Sequence, residues 1–95
     1  MRRAHGVDAN QADIVNVLRE VGYSVLDLSA VGGGCPDLLV GGVSRRSGER
    51  INVLIEVKTA KGRIRKNQME FADNWRGPLY IARTIEEALL AAMGV

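Results

Sequence analysis

The sequence is short of the side chains that most often hold zinc or close disulfides: its 95 residues include one cysteine and one histidine. A single thiol, Cys35, excludes an internal disulfide and is typical of a reducing compartment, so we expect a cytoplasmic protein. No cluster of histidines and cysteines is available for a zinc site. The lone His5 is more typical of a surface residue than of a catalytic base.

Long apolar runs are also missing. No stretch approaches the roughly 18 residues of a membrane-spanning helix. Residues 1–6 have basic side chains with no apolar segment behind them, unlike a secretory signal, so we expect no membrane partner. Hydrophobic residues (46%) and charged residues (25%) occur in the proportions of a folded domain. We therefore expect one domain over residues 1–95, with a core small enough for self-association to help.

The net charge of +2 hides a strong asymmetry along the chain. Residues 45–66 carry eight basic and two acidic side chains, a charge of +6, which leaves −4 elsewhere. Concentrated positive charge favours a polyanion such as a phosphate backbone, although a solvated basic loop gives the same pattern. The candidate phosphate contacts are Arg45, Arg46, Lys61, Arg63, Arg65 and Lys66.

The first half of the chain predicts one helix and three strands. Apolar residues recur at helical spacing over residues 10–21, with Asn10 as the helix cap and Gly22 as its end. A short strand follows at 24–28. The glycine run 32–34 with Pro36 matches no nucleotide-binding spacing and is interpreted as a loop that lets DNA or a strand come close.

Residues 37–43 and 50–58 are rich in valine, leucine and isoleucine, and the polar segment between them predicts an antiparallel hairpin. A basic turn at 59–63 and a helix at 65–75 come next. A buried strand at 79–82 then precedes a last helix, which Thr84 and Glu87 begin as a capping box. The predicted order is therefore αβββαβα, a single α/β domain.

The hairpin brings two carboxylates together. Opposed residues of an antiparallel pair have a constant sum, and Asp37 with Glu56 gives 93, which places the turn between Arg46 and Ser47. Opposed Cβ atoms lie about 5 Å apart, close enough for two carboxylates to share a cation. Alternation along the strand puts Glu56 and Lys58 on one side.

Two carboxylates at that distance repel each other, and a divalent cation relieves the repulsion. Oxygen ligands with open water positions suit Mg²⁺, or Mn²⁺ in its place. The alternative is an acid paired with a lysine at the end of a sheet. A Glu-x-Lys triplet alone occurs by chance in about a third of chains of this size.

Two further residues, Gln68 and Asp13, are candidates for the same site. Gln68 interrupts the apolar stripe of its helix, either as a boundary residue or as an amide that faces the carboxylates. Asp13 lies at the edge of the first helix's buried face, where an acid also favours the helix dipole. Cys35 has no histidine partner for nucleophilic catalysis.

Together, residues 32–41 (GGGCPDLLVG), residues 55–58 (IEVK) and residues 68–71 (QMEF) resemble the VRR-NUC family of the PD-(D/E)XK nucleases over about residues 8–88. The resemblance implies a restriction-endonuclease-like core with a mixed central sheet flanked by helices. Stand-alone members of this kind, from bacteria and phages, look like Holliday-junction resolvases. A Mg²⁺-dependent homodimer that cuts branched DNA is therefore implied.

Carried over by position, the resemblance makes Asp37, Glu56 and the Val57 carbonyl metal ligands. Lys58 would position the attacking water or stabilise phosphate charge, and Gln68 would support the site. Asp13 falls where the family often has a glutamate in the first helix, so it is a further candidate ligand. The alternatives are a nickase, a repair or restriction-type nuclease, an inert DNA-binding module, or a small interaction protein.

Overall fold

A computed structural model describes residues 6–94, with side-chain environments from residue 10 onward, so His5 lies outside the described residues. The elements confirm the predicted αβββαβα order. They are α1 (Gly6–Val21), β1 (Ser24–Asp27), β2 (Leu38–Val43), β3 (Arg50–Val57), α2 (Lys66–Asn74), β4 (Leu79–Ala82) and α3 (Ile85–Ala92). Within residues 6–94 no helix has the length and apolar character that crossing a bilayer requires.

The start of α1 differs from the prediction. The helix begins at Gly6, so Asn10 is an internal residue and not the cap. Its side-chain amide instead donates to the Lys58 carbonyl oxygen at 3.1 Å. An asparagine inside a helix is usually unfavourable because it competes with the backbone for hydrogen bonds. Here a tertiary acceptor, which sequence periodicity cannot reveal, satisfies the amide.

The four strands form one sheet in the order β1-β2-β3-β4. Strands β1, β2 and β3 are antiparallel neighbours, and β4 runs parallel to β3. In the β2–β3 hairpin Leu38 is opposite Ile55 and Val43 is opposite Arg50. Both pairs have the predicted sum of 93, so the predicted hairpin register is confirmed.

One face of the sheet is closed by α1 and α3. Val53, Ile55 and Val57 of β3 belong to its core, each at most 1% exposed. The helices contribute Ile14, Leu18, Ala88, Ala91 and Ala92 to the same cluster. The alternation predicted for β3 thus puts its branched apolar side chains into one core.

The start of α3 confirms half of the predicted capping box. The Thr84 hydroxyl accepts a hydrogen bond from the Glu87 backbone N–H at 3.1 Å. The Glu87 carboxylate, however, accepts from the backbone N–H of Arg83, one residue before the cap, at 2.6 Å. Arg83 is therefore fixed to the first turn of α3.

The opposite face of the sheet carries α2. None of the nine residues of α2 is buried. Phe71 of α2 stacks on Trp75, the residue that follows the helix, with ring centroids 5.5 Å apart. Leu54 and Glu56, which alternate with the core residues of β3, are buried on this side of the sheet.

Candidate active site

Asp37 directly precedes β2 and is fixed from two sides. Its backbone oxygen accepts from the N–H of Leu28, at the end of β1, at 2.7 Å. Its side-chain Oδ2 accepts from the Val57 N–H at 2.9 Å. One carboxylate oxygen is thus bound to the end of β3, and the side chain lies beside Glu56, the residue before Val57.

Glu56 is 5% exposed, an unusual position for an acid. The pKa of its carboxyl group is raised from 4.5 to about 7, first by burial and then by the nearby Asp37 charge, against a lowering by Lys58. Removal from water and a like charge both disfavour the ionised form. The site therefore contains two mutually repelling acids, as the hairpin register predicts.

Lys58 completes the group of charges. Its side chain is almost as buried as that of Glu56, and its Nζ lies 3.6 Å from Glu56 Oε2. Its backbone is held as well, because its N–H donates to the Ala82 carbonyl at 3.0 Å and its own carbonyl accepts from Asn10. The ammonium is therefore supplied from a fixed strand end.

Gln68 joins the site to α2 by using both ends of its amide. Its Nε2 donates to Glu56 Oε2 at 2.9 Å, and its Oε1 accepts from the Arg65 N–H at 2.9 Å. The first contact places the amide against a carboxylate, which agrees with the interpretation of Gln68 as an amide that faces the acids and not as a boundary residue. The second satisfies a backbone donor at the start of α2, where Arg65 provides no side-chain cap.

Gly34 explains how α2 comes so close to the loop before β2. Its φ of +81° is in the left-handed region, and a Cβ there would collide with the backbone carbonyl of Asn67. The glycine run was interpreted as allowing DNA or a strand to approach. In the structure the first turn of α2 makes this approach, which brings Gln68 within reach of Glu56.

An apolar cleft of about 280 Å³ opens beside Glu56, between α2 and β4. Its walls include Pro36, Ile64, Met69, Leu79 and Ile81, and Gln68 lies at its edge. The buried carboxylate is therefore bordered by apolar surface on the α2 side. Such a low-dielectric border strengthens the electrostatic interactions of the group.

The structure divides the basic segment into two groups. Lys58, Lys61, Arg63, Arg65 and Lys66 follow β3 at the end of the sheet that holds Asp37 and Glu56. Arg45 and Arg46 lie in the hairpin turn at the other end of β3. The six steps along the strand from Arg50 to Glu56 span roughly 20 Å at the usual strand rise. Sequence proximity therefore overstated the concentration of positive charge at the site.

Asp13 lies on α1 and is exposed. Between residues 10 and 94, no three His, Cys, Asp or Glu side chains are grouped so that they could hold a metal ion. Asp13 therefore does not form a three-carboxylate cluster with Asp37 and Glu56. A direct metal contact by Asp13 stays a prediction.

Sequence analysis missed Asn10 and Arg83 as residues around the site. The Arg83 Nη1 donates to the carbonyl oxygens of Thr59 and Gly62, at 2.7 Å each, and lies 3.4 Å from that of Ala60. No spacing in the sequence indicates these contacts, because they join residues more than 20 positions apart.

The donor set fits a hard divalent cation. Asp37 retains one oxygen outside its bond to Val57, and Glu56 is buried beside it with a single ammonium to balance two acids. Carboxylate and carbonyl oxygens are the ligands that Mg²⁺ and Mn²⁺ prefer. A cation held by Asp37, Glu56 and the Val57 carbonyl would offset the cost of burying two negative charges.

In the comparison with protein families, the model of the VRR-NUC domain matches residues 4–83. It includes Asp37, Glu56, Lys58 and Gln68, and it ends at Arg83. Comparisons with curated proteins and with solved structures give no match. The observed αβββαβα order and mixed sheet are consistent with a restriction-endonuclease-like core.

Proposed function

Because this chain belongs to the VRR-NUC domain family, which implies a nuclease-type role in DNA processing, we propose that it is a Mg²⁺-dependent endonuclease that hydrolyses DNA phosphodiester bonds. The observation that carries the proposal is the buried Glu56 carboxylate, which Asp37, Lys58 and Gln68 all approach. A structural ion pair needs one acid and one base. The second acid has no such explanation.

Each residue of the cluster has a distinct role in this proposal. Asp37 and Glu56, with the Val57 carbonyl, hold the cation. When bound there, Mg²⁺ or Mn²⁺ supplies water activation and neutralises charge on the phosphate. Lys58 stabilises the negative charge that develops on the phosphate or orients the attacking water. Gln68 holds the Glu56 carboxylate in place, and Asp13 is a further candidate for a contact with the cation, with a small contribution because its side chain is exposed on α1.

Replacement of either acid tests the proposal. We expect Asp37→Ala and Glu56→Ala to reduce cleavage in Mg²⁺ by at least about 1000-fold, the scale of losing a preorganised electrostatic contribution. Binding of the same DNA in EDTA should persist. Glu70→Ala, which removes an exposed acid of α2, is the matched control and should cleave like the wild type. Full cleavage by either site variant would contradict the assignment.

The DNA contacts are proposed to come from two separated groups. Lys61, Arg63, Arg65 and Lys66 flank the acids, whereas Arg45 and Arg46 would meet the backbone further along the duplex. Such contacts release counterions, so affinity should fall steeply as salt rises. The slope of log affinity against log salt, measured for the wild type and for Arg45→Ala/Arg46→Ala, tests this. An unchanged slope would remove the hairpin turn from the interface.

We further propose that the enzyme is a homodimer acting on branched DNA, as a Holliday-junction resolvase does. Support comes from the surface around β4, an edge strand next to the site. Met69, Ile81 and Leu90 are exposed there by 43–58%. A helix as short as α2 is also marginal by itself and has no buried residue. A second copy of the chain packed on this surface would cover the exposed apolar residues and α2 together.

Sedimentation equilibrium tests the dimer directly. Ile81→Lys should give monomers, whereas Val21→Lys, which changes an even more exposed apolar residue, on α1, should not. A monomeric wild type would contradict the dimer. Cleavage assays on four-way junctions, flaps, duplexes and single strands then distinguish junction resolution from nickase, repair or restriction-type activity. Mg²⁺-independent binding without cleavage would indicate an inert DNA-binding module.

A further inference from the structure

We infer that Arg83 is a positioning residue for DNA binding. Its guanidinium fixes the conformation of the basic loop 59–63 through the loop's backbone carbonyls, and Asn10 binds the carbonyl of Lys58, just before the loop. The inference rests on the proposed function, because it treats Lys61 and Arg63 of this loop as phosphate contacts. It assigns Arg83 a role that does not require it to touch DNA.

The Arg83 guanidinium donates to backbone carbonyls of the loop 59–63. Its Nη1 donates at 2.7 Å to the carbonyls of both Thr59 and Gly62. Among residues 10–94 the salt bridge is the one between Lys58 and Glu56, and Arg83 takes no part in it. A planar guanidinium with several fixed donors suits several carbonyl oxygens at once.

The loop itself is a tight turn. The Gly62 N–H donates to the Thr59 carbonyl at 3.1 Å, so this carbonyl accepts from both Gly62 and Arg83. A Cβ at Gly62 would lie 3.1 Å from the Thr59 hydroxyl oxygen, closer than ordinary packing allows. The preceding carbonyl, that of Lys58, is taken by Asn10 from α1. Carbonyls at both ends of the turn are therefore held by side chains from other elements.

Burial shows which side of the loop is left for a partner. Thr59 and Gly62, whose carbonyls Arg83 holds, are half-buried, whereas Ala60, Lys61 and Arg63 are exposed. With the acceptor groups bound from behind, the cationic side chains are presented outward. Arg83 is itself anchored, because its backbone N–H donates to Glu87 of α3. The core helix thereby fixes the loop that follows Lys58.

A loop ordered in advance binds more tightly because less entropy is lost on binding. We therefore expect Arg83→Gln to raise the KM for DNA and the dissociation constant in EDTA by about 10-fold, the scale of one lost charged hydrogen-bond set. The kcat should change less than about 3-fold, since Asp37, Glu56 and Lys58 are held by other bonds.

Arg83→Lys separates positioning from direct contact with phosphate. Lysine keeps the charge but lacks the planar fork, so it should fail to restore affinity if Arg83 acts through the loop. Restoration by lysine would make Arg83 a simple phosphate contact and overturn the inference. Arg19→Gln is the matched control, because Arg19 also donates to a backbone carbonyl, that of Val25 at 3.0 Å, on the β1 side of the molecule. It should bind DNA like the wild type.

Amide hydrogen exchange without DNA gives the independent readout. Both Arg83 variants should exchange the Gly62 amide at least about 10-fold faster than the wild type and leave the Ile55 amide in the core protected. Unchanged exchange at Gly62 would overturn the inference. A wild-type protein that binds no DNA would instead contradict the proposed function. Wild-type binding that survives in both Arg83 variants would sink only the role of Arg83.

Discussion

The two faces of the sheet differ in what they bury. The face under α1 and α3 buries Ile14, Leu18 and the branched side chains of β3, with no charged residue in the cluster. The face under α2 buries Glu56 and lies next to a helix without a single buried residue. Both faces belong to the same strand, because side chains alternate along β3. Apolar burial is therefore concentrated on one side of the sheet, and the charged side chains of the candidate site lie on the other.

The difference shows how a small α/β fold combines a stable core with a costly cluster of charges. The core face supplies apolar burial, which is the main stabilising contribution in folding. The α2 face holds two adjacent acids at the expense of stability. Strained or unfavourable arrangements in functional sites persist when the rest of the structure over-determines them.

A cavity on the core face should give the largest loss of stability. Leu18 is fully buried, and we expect Leu18→Ala to reduce the free energy of unfolding by about 3 kcal/mol. Met69 of α2 is 53% exposed in the single chain, so at protein concentrations that keep the chain monomeric Met69→Ala should change the free energy of unfolding by less than about 0.5 kcal/mol. Urea denaturation of the two variants measures the contrast. Equal losses would contradict the division between the faces.

Replacing the buried acid Glu56 should raise the free energy of unfolding at alkaline pH, whereas replacing Leu18 lowers it. The folded-state pKa of Glu56 is raised from 4.5 to about 7, so the folded protein binds this proton more tightly than the unfolded chain. Stability from this group is then fully present below pH 4.5 and is lost as the pH rises through about 7. The loss is at most about 3 kcal/mol.

Glu56→Gln should therefore be more stable than the wild type at pH 8 in EDTA and should lose this pH dependence. Thermal unfolding between pH 4 and pH 8 measures it. Asp73→Asn, which changes an exposed acid of α2, is the control. Adding Mg²⁺ at pH 8 should stabilise the wild type more than the Glu56→Gln variant. If the wild type gained stability from pH 5 to pH 8 relative to the variant, ionisation of Glu56 would not destabilise the folded protein, and the prediction would be wrong.

Gln68, which joins α2 to the buried acid of β3, should give an effect of intermediate size. Gln68→Leu removes the donor to Glu56 and leaves the Arg65 N–H without its acceptor, so we expect cleavage to fall about 10-fold. Gln11→Leu is a matched control, because Gln11 also donates to a carboxylate, that of Asp27, away from the site. Equal activity of the two variants in a single-turnover assay would make Gln68 a boundary residue.

Asp13 should give the smallest effect. Because it is exposed on α1 and forms no cluster with the two acids, we expect Asp13→Ala to retain cleavage within about 3-fold of the wild type. Steady-state rates over a Mg²⁺ titration measure this. A rise in the Mg²⁺ requirement as large as that caused by Asp37→Ala would assign Asp13 to the metal site directly.

The hairpin was predictable because its turn and both of its strands are recognisable in the sequence. A polar turn with Gly48 separates two apolar strands, which fixes the register that sets Asp37 opposite Glu56. The helix around Gln68 was also predictable from its spacing. By contrast, the start of α1 was misplaced because Asn10 has a tertiary acceptor. The separation of Arg45 and Arg46 from the acids is implicit in the predicted hairpin, because its turn lies at one end of the strand 50–58 and Glu56 near the other.

Local order along the chain thus determined the elements, their sequence and the pairing of β2 with β3, since these depend on periodicity and on turns between neighbouring segments. The tertiary structure alone decided that Gln68 meets Glu56 and that Arg83 holds the loop after Lys58. It also decided that α2 packs against Gly34. Such contacts depend on how whole elements cross and how closely their backbones approach, and no residue spacing encodes that distance.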